Sequence, residues 1–292
     1  MSETPPAPEA PQHRCGVVAL LGRPNAGKST LLNALVGEKI AIAAARAQTT
    51  RSQLLGVVTR PGSQILFHDT PGLNRGTARF NVALSDRALA AAEDADLSVI
   101  LFEAKAMWDV PEERLAGLAG PSLLLRTKCD LGPPGPVPHP ERFVDVLEVS
   151  AGSGRGLESF LRRVEELLPQ GPALYPDDFL TDAPMRFLAA ELIREVVFAA
   201  YRDEIPYAVA VEVERWQETD GELRLDANLL VERESQKPIV VGKGGKMLKK
   251  VGIEARKKIA ELSGLRVHLK LWVKTDRNWS KRPKRARQLG YL

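Results

Sequence analysis

Two glycine–lysine loops carry the first chemical signal in this 292-residue sequence: LGRPNAGKSTLLNALVG at 21–37 and VVGKGGKMLKKVG at 240–252. The first satisfies G-x-x-x-x-G-K-[ST] from Gly22 to Ser29, after an apolar run and ahead of a helical one, as that motif requires. Gly22 and Gly27 let the backbone curl so that its N–H groups face phosphate oxygens, and the helix N-terminus adds partial positive charge. Lys28 reaches the β- and γ-phosphates, Ser29 offers its hydroxyl to Mg²⁺, and Asn25, Ala26 and Thr30 complete the nucleotide-contacting run.

Three further motifs name the nucleotide. HDTPG (68–72) sets Asp69 at a strand end, where a carboxylate can hold the metal's water shell, and Gly72 where a backbone N–H can sense a γ-phosphate. In TKCD (Thr127, Lys128, Cys129, Asp130) the Asp130 carboxylate can accept two hydrogen bonds, from guanine N1–H and the exocyclic amine, a pattern adenine lacks. SAGSGRG (150–156) brings Ser150 and Ala151 to the next strand end, where a backbone N–H can meet guanine O6. Each is weak alone, but in this order on successive strand ends they specify a GTPase. Leu73 stands where Ras-like proteins carry a water-positioning Gln, which predicts slow intrinsic hydrolysis. Thr127 replaces the usual Asn, yet its hydroxyl can still bridge to the phosphate loop.

Positioning these residues takes a sheet. The runs GVVALLG, SQILFHD, LSVILFEA, PSLLLRT and FVDVLEVSA read as strands separated by helical stretches, the last being GLESFLRRVEELL. That alternation predicts a mostly parallel sheet with helices on both faces over residues 15–170. Residues 1–14 begin Pro-rich and acidic and read as a disordered tail; four prolines in 169–184 mark a linker, placed at 171–183. From 184 to 292 the texture changes to α-β-β-α-β, with a short helical turn inside the basic stretch and Gly221 turning an antiparallel hairpin.

The phosphate-loop, guanine and switch stretches together resemble the translation-factor-related GTPases. KIAIAAARAQTTRSQLLGVV (39–58) is similar to the first switch of bacterial Era GTPases, which implies a threonine closing over Mg²⁺: Thr50, with Thr49 the alternative. Asn25 matches the residue that relatives use to hold K⁺ beside the phosphates; a plain turn residue is the other reading. The second loop lacks a Ser or Thr for Mg²⁺ and has no guanine set of its own. Its order of elements resembles a bacterial, type II KH domain, whose G-x-x-G loop clamps a single-stranded backbone. Gly242, Gly244 and Gly245 would let the sugar-phosphate approach, with Lys243, Lys246, Lys249 and Lys250 supplying phosphate contacts. Ile239 and Val241 would line the apolar groove, with Val240 and Met247 read as core.

The resemblance to Era runs from about residue 14 to the end, including WVKTDRNWSKRPKRARQLGYL as its basic C-terminal tail. It implies an α/β P-loop GTPase fold followed by an α+β KH domain, with GTP or GDP and Mg²⁺ bound. It also implies binding of the 3′ end of small-subunit (16S) ribosomal RNA during 30S subunit assembly, as a monomer. Cytoplasmic location is expected, with peripheral contact to anionic inner-membrane lipid. Two departures stand out: LGPPGPVPHPERF (131–143) is too Pro-rich for the helix usual there, and TDAPMR leaves Arg186 as the basic residue at the domain interface.

Composition agrees with a soluble, polyanion-binding protein. Charged residues make up 27% and apolar ones 44%, and no apolar run spans a bilayer. The two cysteines, Cys15 and Cys129, show no metal-ligand spacing and suggest a reducing compartment. The net charge of +4 conceals 17 Lys and Arg against three acids in 236–292, a balance of +14 that leaves −10 elsewhere. A peripheral membrane GTPase or an RNA chaperone with a vestigial nucleotide site would also carry such charge. The hairpin and G-x-x-G loop argue against the first, and the complete Lys28, Ser29, Asp69, Asp130 set against the second.

Overall fold

A computed structural model describes residues 13–42, 53–73, 79–105, 118, 120–132, 135–137 and 139–291, with 79–81 described by backbone alone. The first half builds a six-stranded sheet in the order β2-β3-β1-β4-β5-β6. Its strands are β1 (Arg14–Gly22), β2 (Leu54–Arg60), β3 (Ser63–Asp69), β4 (Leu97–Glu103), β5 (Ser122–Thr127) and β6 (Asp145–Glu148). All neighbours pair in parallel except β2, which runs antiparallel to β3. The central strands are continuous apolar runs because helices cover both faces. Helices α1 (Lys28–Val36) and α3 (Leu157–Leu167) share a core with Leu20, Phe67, Val99 and Leu125, while α2 (Arg79–Glu93) covers Ala19 and Leu21 on the other face.

Strand β2 is not among the strands expected from sequence, where most of its residues fall in the stretch read as resembling a first switch. Gly56 makes room for it: a Cβ there would sit 2.5 Å from Leu32 Cδ1 of α1. In the Pro-rich stretch 131–143 the described residues hold only a 3₁₀ turn, Pro140–Arg142, in keeping with a shortened helix. The helix expected between β4 and β5 lies outside the described residues.

The second half packs α4 (Met185–Ala200) and α7 (Lys246–Ser263) against a three-stranded sheet. Its strands are β7 (Ala210–Thr219), β8 (Glu222–Val231) and β9 (Arg266–Thr275), with β7 and β8 antiparallel and β8 and β9 parallel. Gly221 turns the hairpin at φ 74, as expected. Ile193, Val197, Leu225, Leu229, Val251 and Ile259 form the core. Short helices α5 (Ile205–Ala208), α6 (Lys237–Val241) and α8 (Pro283–Gln288) complete the unit.

The basic C-terminal stretch is anchored rather than loose. Trp279 and Tyr291 are buried with Ala210 and Leu230, Trp279 Nε1 donates to Ala208 O at 2.9 Å, and Val211 N donates to Tyr291 Oη at 3.1 Å. The segment between the halves also lies down: Tyr175 and Phe179 stack over Leu55, Val57 and Leu66, and Gln64 bonds the backbone of Leu174 and Tyr175. Arg186, expected at the domain interface, instead donates to the carbonyls of Val213 and Glu214 on β7. Among the described residues an ion pair crosses the interface from Lys39 to Glu195, Nζ to Oε1 at 2.9 Å, and Lys258 of α7 lies 3.3 Å from the same carboxylate.

Candidate functional site

The phosphate loop follows β1 and opens α1, and its backbone explains its residues. Gly22 (φ 147) has no room for a Cβ, which would sit 2.5 Å from Leu101 O; Gly27 (φ 94) and Asn25 (φ 69) occupy left-handed conformations. The curl turns Lys28 back over the loop, where Nζ donates to Gly22 O and Arg23 O at 3.0 Å each. Burial pushes the Lys28 ammonium down to about 8, against the pull of Asp69. Ser29 Oγ donates to Asp69 Oδ2 at 2.6 Å, and both side chains are buried.

These groups fit Mg²⁺, a hard cation that takes one or two protein oxygens and keeps waters or phosphate oxygens for the rest. A hydroxyl and a carboxylate meet beside a loop shaped for phosphate. Among the described residues no cluster of three or more His, Cys, Asp or Glu offers an alternative metal cage. Thr49 and Thr50 lie outside the described residues. Gly72 abuts the loop so closely that a Cβ would fall 2.6 Å from Pro24 N, and Leu73 N donates to Gly22 O at 2.9 Å. The Leu73 side chain turns away from the loop into the core beside Ala19, Leu21 and Ala88.

Beyond the loop a pocket of ≈ 190 Å³ is lined by Gly27, Thr30, Thr127, Lys128, Asp130, Ser150 and Ala151. The strand ends converge here as their motifs required. Thr127 Oγ1 donates to Ala26 O at 2.7 Å, so the hydroxyl bridges to the phosphate loop in place of the usual amide. A hydrogen bond from the Ser150 hydroxyl holds the Asp130 carboxyl below the usual carboxylate range, keeping it an acceptor. The Ser150 amide is committed to Arg155 O at 2.9 Å, which leaves Ala151 as the residue whose amide can meet a carbonyl oxygen.

The second loop, between α6 and α7, has Gly242, Gly244 and Gly245 at φ 72, 59 and 75. A Cβ on Gly244 or Gly245 would meet nothing within 4 Å, so these glycines leave open backbone beside the exposed Lys243, Lys246, Lys249 and Lys250. Next to it runs a groove of ≈ 360 Å³ lined by Gly245, Leu248, Lys249, Gly252, Ile253 and Arg256 of the loop and α7, with Leu269 and Leu271 of β9. Ile239 and Val241, expected to line this groove, lie on α6 and are not among its lining residues; Val240 is buried in the core. Gly245 and Lys249 line it as expected, and the residues missed were detectable: 248, 252, 253 and 256 continue from them at helical spacing, and 269 and 271 share one face of a strand.

Comparison with known proteins places both halves. Residues 17–128 match the family described as 50S ribosome-binding GTPase, and residues 204–280 match the KH domain. GTPase Era of Geobacter metallireducens is 43% identical, with 95% of this chain and 98% of the relative covered. GTPase Era of Lacticaseibacillus paracasei is 39% identical over 96% and 97%. A point variant of Aquifex aeolicus Era, solved bound to GDP·AlF4⁻, superposes with a TM-score of 0.89 at 34% identity, covering 96% of this chain and 99% of its own. Era in complex with MgGDPNP and nucleotides 1506–1542 of 16S ribosomal RNA gives 0.89 at 33%, with the same coverage. With a phosphate loop and an adjoining pocket in its first half, a G-x-x-G groove in its second, and relatives alike over nearly the whole length, the chain belongs to the Era GTPase family.

Proposed function

We propose that the protein hydrolyses GTP to GDP and phosphate and uses the bound nucleotide to control its grip on single-stranded ribosomal RNA. The observation that carries this reading is the Lys28, Ser29 and Asp69 constellation beside a guanine pocket, joined in one chain to a basic G-x-x-G groove. Asp130 would take guanine N1–H and the amine, the Ala151 amide would take O6, and Lys28 would draw charge from the β- and γ-phosphates. Ser29 and Asp69, with Thr50 from the switch, would hold Mg²⁺; when bound, the ion neutralises charge on the phosphates. Gly72 would report the γ-phosphate. Leu73, alkyl and buried, offers no group to orient or deprotonate the attacking water, which supports slow intrinsic hydrolysis. Asn25, held left-handed in the loop, is our candidate for a K⁺ contact that would add the missing charge.

In the second half, Gly244 and Gly245 would admit an RNA backbone, the four lysines would neutralise its phosphates, and bases would lie along Leu248, Ile253, Leu269 and Leu271. A relative solved with 16S ribosomal RNA nucleotides 1506–1542 supports the 3′ end of that RNA as the target, and hence a role in 30S subunit assembly. The test is separation of the two activities in the full chain. Lys28→Ala should abolish GTP hydrolysis, whereas Gly245→Asp should keep it and lose binding of a short RNA copied from that 3′ end. Loss of both activities in both variants would contradict two linked but distinct sites.

A further inference from the structure

Lys128 lines the base pocket, yet its ammonium points at a residue outside every motif named above. It donates from Nζ to Glu103 Oε2 at 2.8 Å. Glu103 is the last residue of β4 and pairs in register with Thr127 of β5, one residue before the lysine. The residue after it is held at both its backbone groups: Ala104 N donates to Thr127 O, and Gly135 N donates to Ala104 O, each at 2.9 Å. Lys128 is held at φ 57, a left-handed conformation that a long side chain adopts only under constraint. That backbone turn sends Thr127 inward to Ala26 O and swings Lys128 to the rim.

We propose that Glu103 is a positioning residue for nucleotide binding, its carboxylate drawing out the Lys128 ammonium so that the lysine's alkyl stem forms one wall of the base pocket. Both side chains are 35% exposed, so the pair adds little to stability and its consequence is orientation of the lysine. A flexible lysine at the rim would otherwise lose rotamer freedom each time a purine entered, weakening binding by that entropy. The carboxylate settles that cost in advance. Because Lys128 stands at the nucleoside end of the site, the effect falls equally on GDP and GTP and spares the γ-phosphate chemistry.

This inference rests on the guanine-nucleotide reading of the pocket, and titration with fluorescent GDP and a GTP analogue tests the two separately. Glu103→Gln should weaken both nucleotides by about threefold to tenfold with kcat unchanged, while Glu103→Asp restores most of the affinity. In a Lys128→Met background, Glu103→Gln should add nothing, because its partner is already gone. Additive losses, an equal fall in nucleotide-free melting temperature, or tighter binding by Glu103→Gln would each overturn the positioning role. Failure of the unaltered protein to bind GDP would overturn the guanine reading itself.

Discussion

Replacing Gly72 by Ala probes the contact between the two phosphate-sensing segments with a single methyl. The added Cβ would fall 2.6 Å from Pro24 N and 2.7 Å from Pro24 Cγ, so the strand-end segment must retreat from the phosphate loop. That retreat breaks the 2.9 Å bond from Leu73 N to Gly22 O, worth about 1 kcal/mol. It also withdraws the Gly72 amide from a γ-phosphate, a charge-assisted contact worth about 1.5–3 kcal/mol. Together these predict a fall in kcat/KM for GTP of roughly 70- to 900-fold. GDP lacks the γ-phosphate, so its affinity should stay within about fivefold, since only the neutral bond affects it. Single-turnover hydrolysis combined with GDP and GTP-analogue titrations reads both quantities. Equal losses for the two nucleotides, or hydrolysis within about threefold of the unaltered protein, would refute the reasoning.

Three further outcomes follow from side-chain geometry. Glu195→Gln removes the carboxylate shared by Lys39 and Lys258, and chemical denaturation should show a loss of about 1 kcal/mol, most of it absent in a Lys39→Met background. Tyr201 donates to Val240 O at 2.7 Å, and burial pushes its phenol up to about 12. Its stabilising contribution is therefore intact below pH 10, where the unfolded phenol starts to ionise, and is lost as pH rises toward 12. Relative to Tyr201→Phe, denaturant midpoints should converge across that window by up to about 2 kcal/mol. Ile253→Glu sets a like charge against RNA phosphate in the α7–β9 groove, and filter binding should show at least a roughly tenfold weaker RNA complex with GTP hydrolysis unchanged.

The nucleotide half was legible because its chemistry is encoded in local spacing. Gly22, Gly27 and Lys28 act through backbone that the motif itself shapes, and Asp69, Thr127 and Asp130 sit where apolar runs end. The Thr127 bridge to Ala26 O followed from the hydroxyl alone. Strand β2 was missed because a switch resemblance and an edge strand share one stretch of sequence. The groove was half seen: the glycine loop has a signature, but Leu269 and Leu271 join Ile253 only through the pairing of β9 with β8. The anchoring of Trp279 and Tyr291 depends on contacts with Ala210 and Leu230, far back in the chain, which no local pattern announces.

The central claim is that the two sites speak to each other, and coupling of that kind is reciprocal. The most direct measurement is the affinity of the full chain for a short single-stranded RNA copied from the 3′ end of 16S ribosomal RNA. It is taken with a non-hydrolysable GTP analogue, with GDP and without nucleotide, at one fixed salt concentration because phosphate contacts make binding salt-dependent. The account predicts tighter, sequence-dependent binding with the GTP analogue, by at least about fivefold over GDP. Binding that ignores both nucleotide and sequence would contradict it.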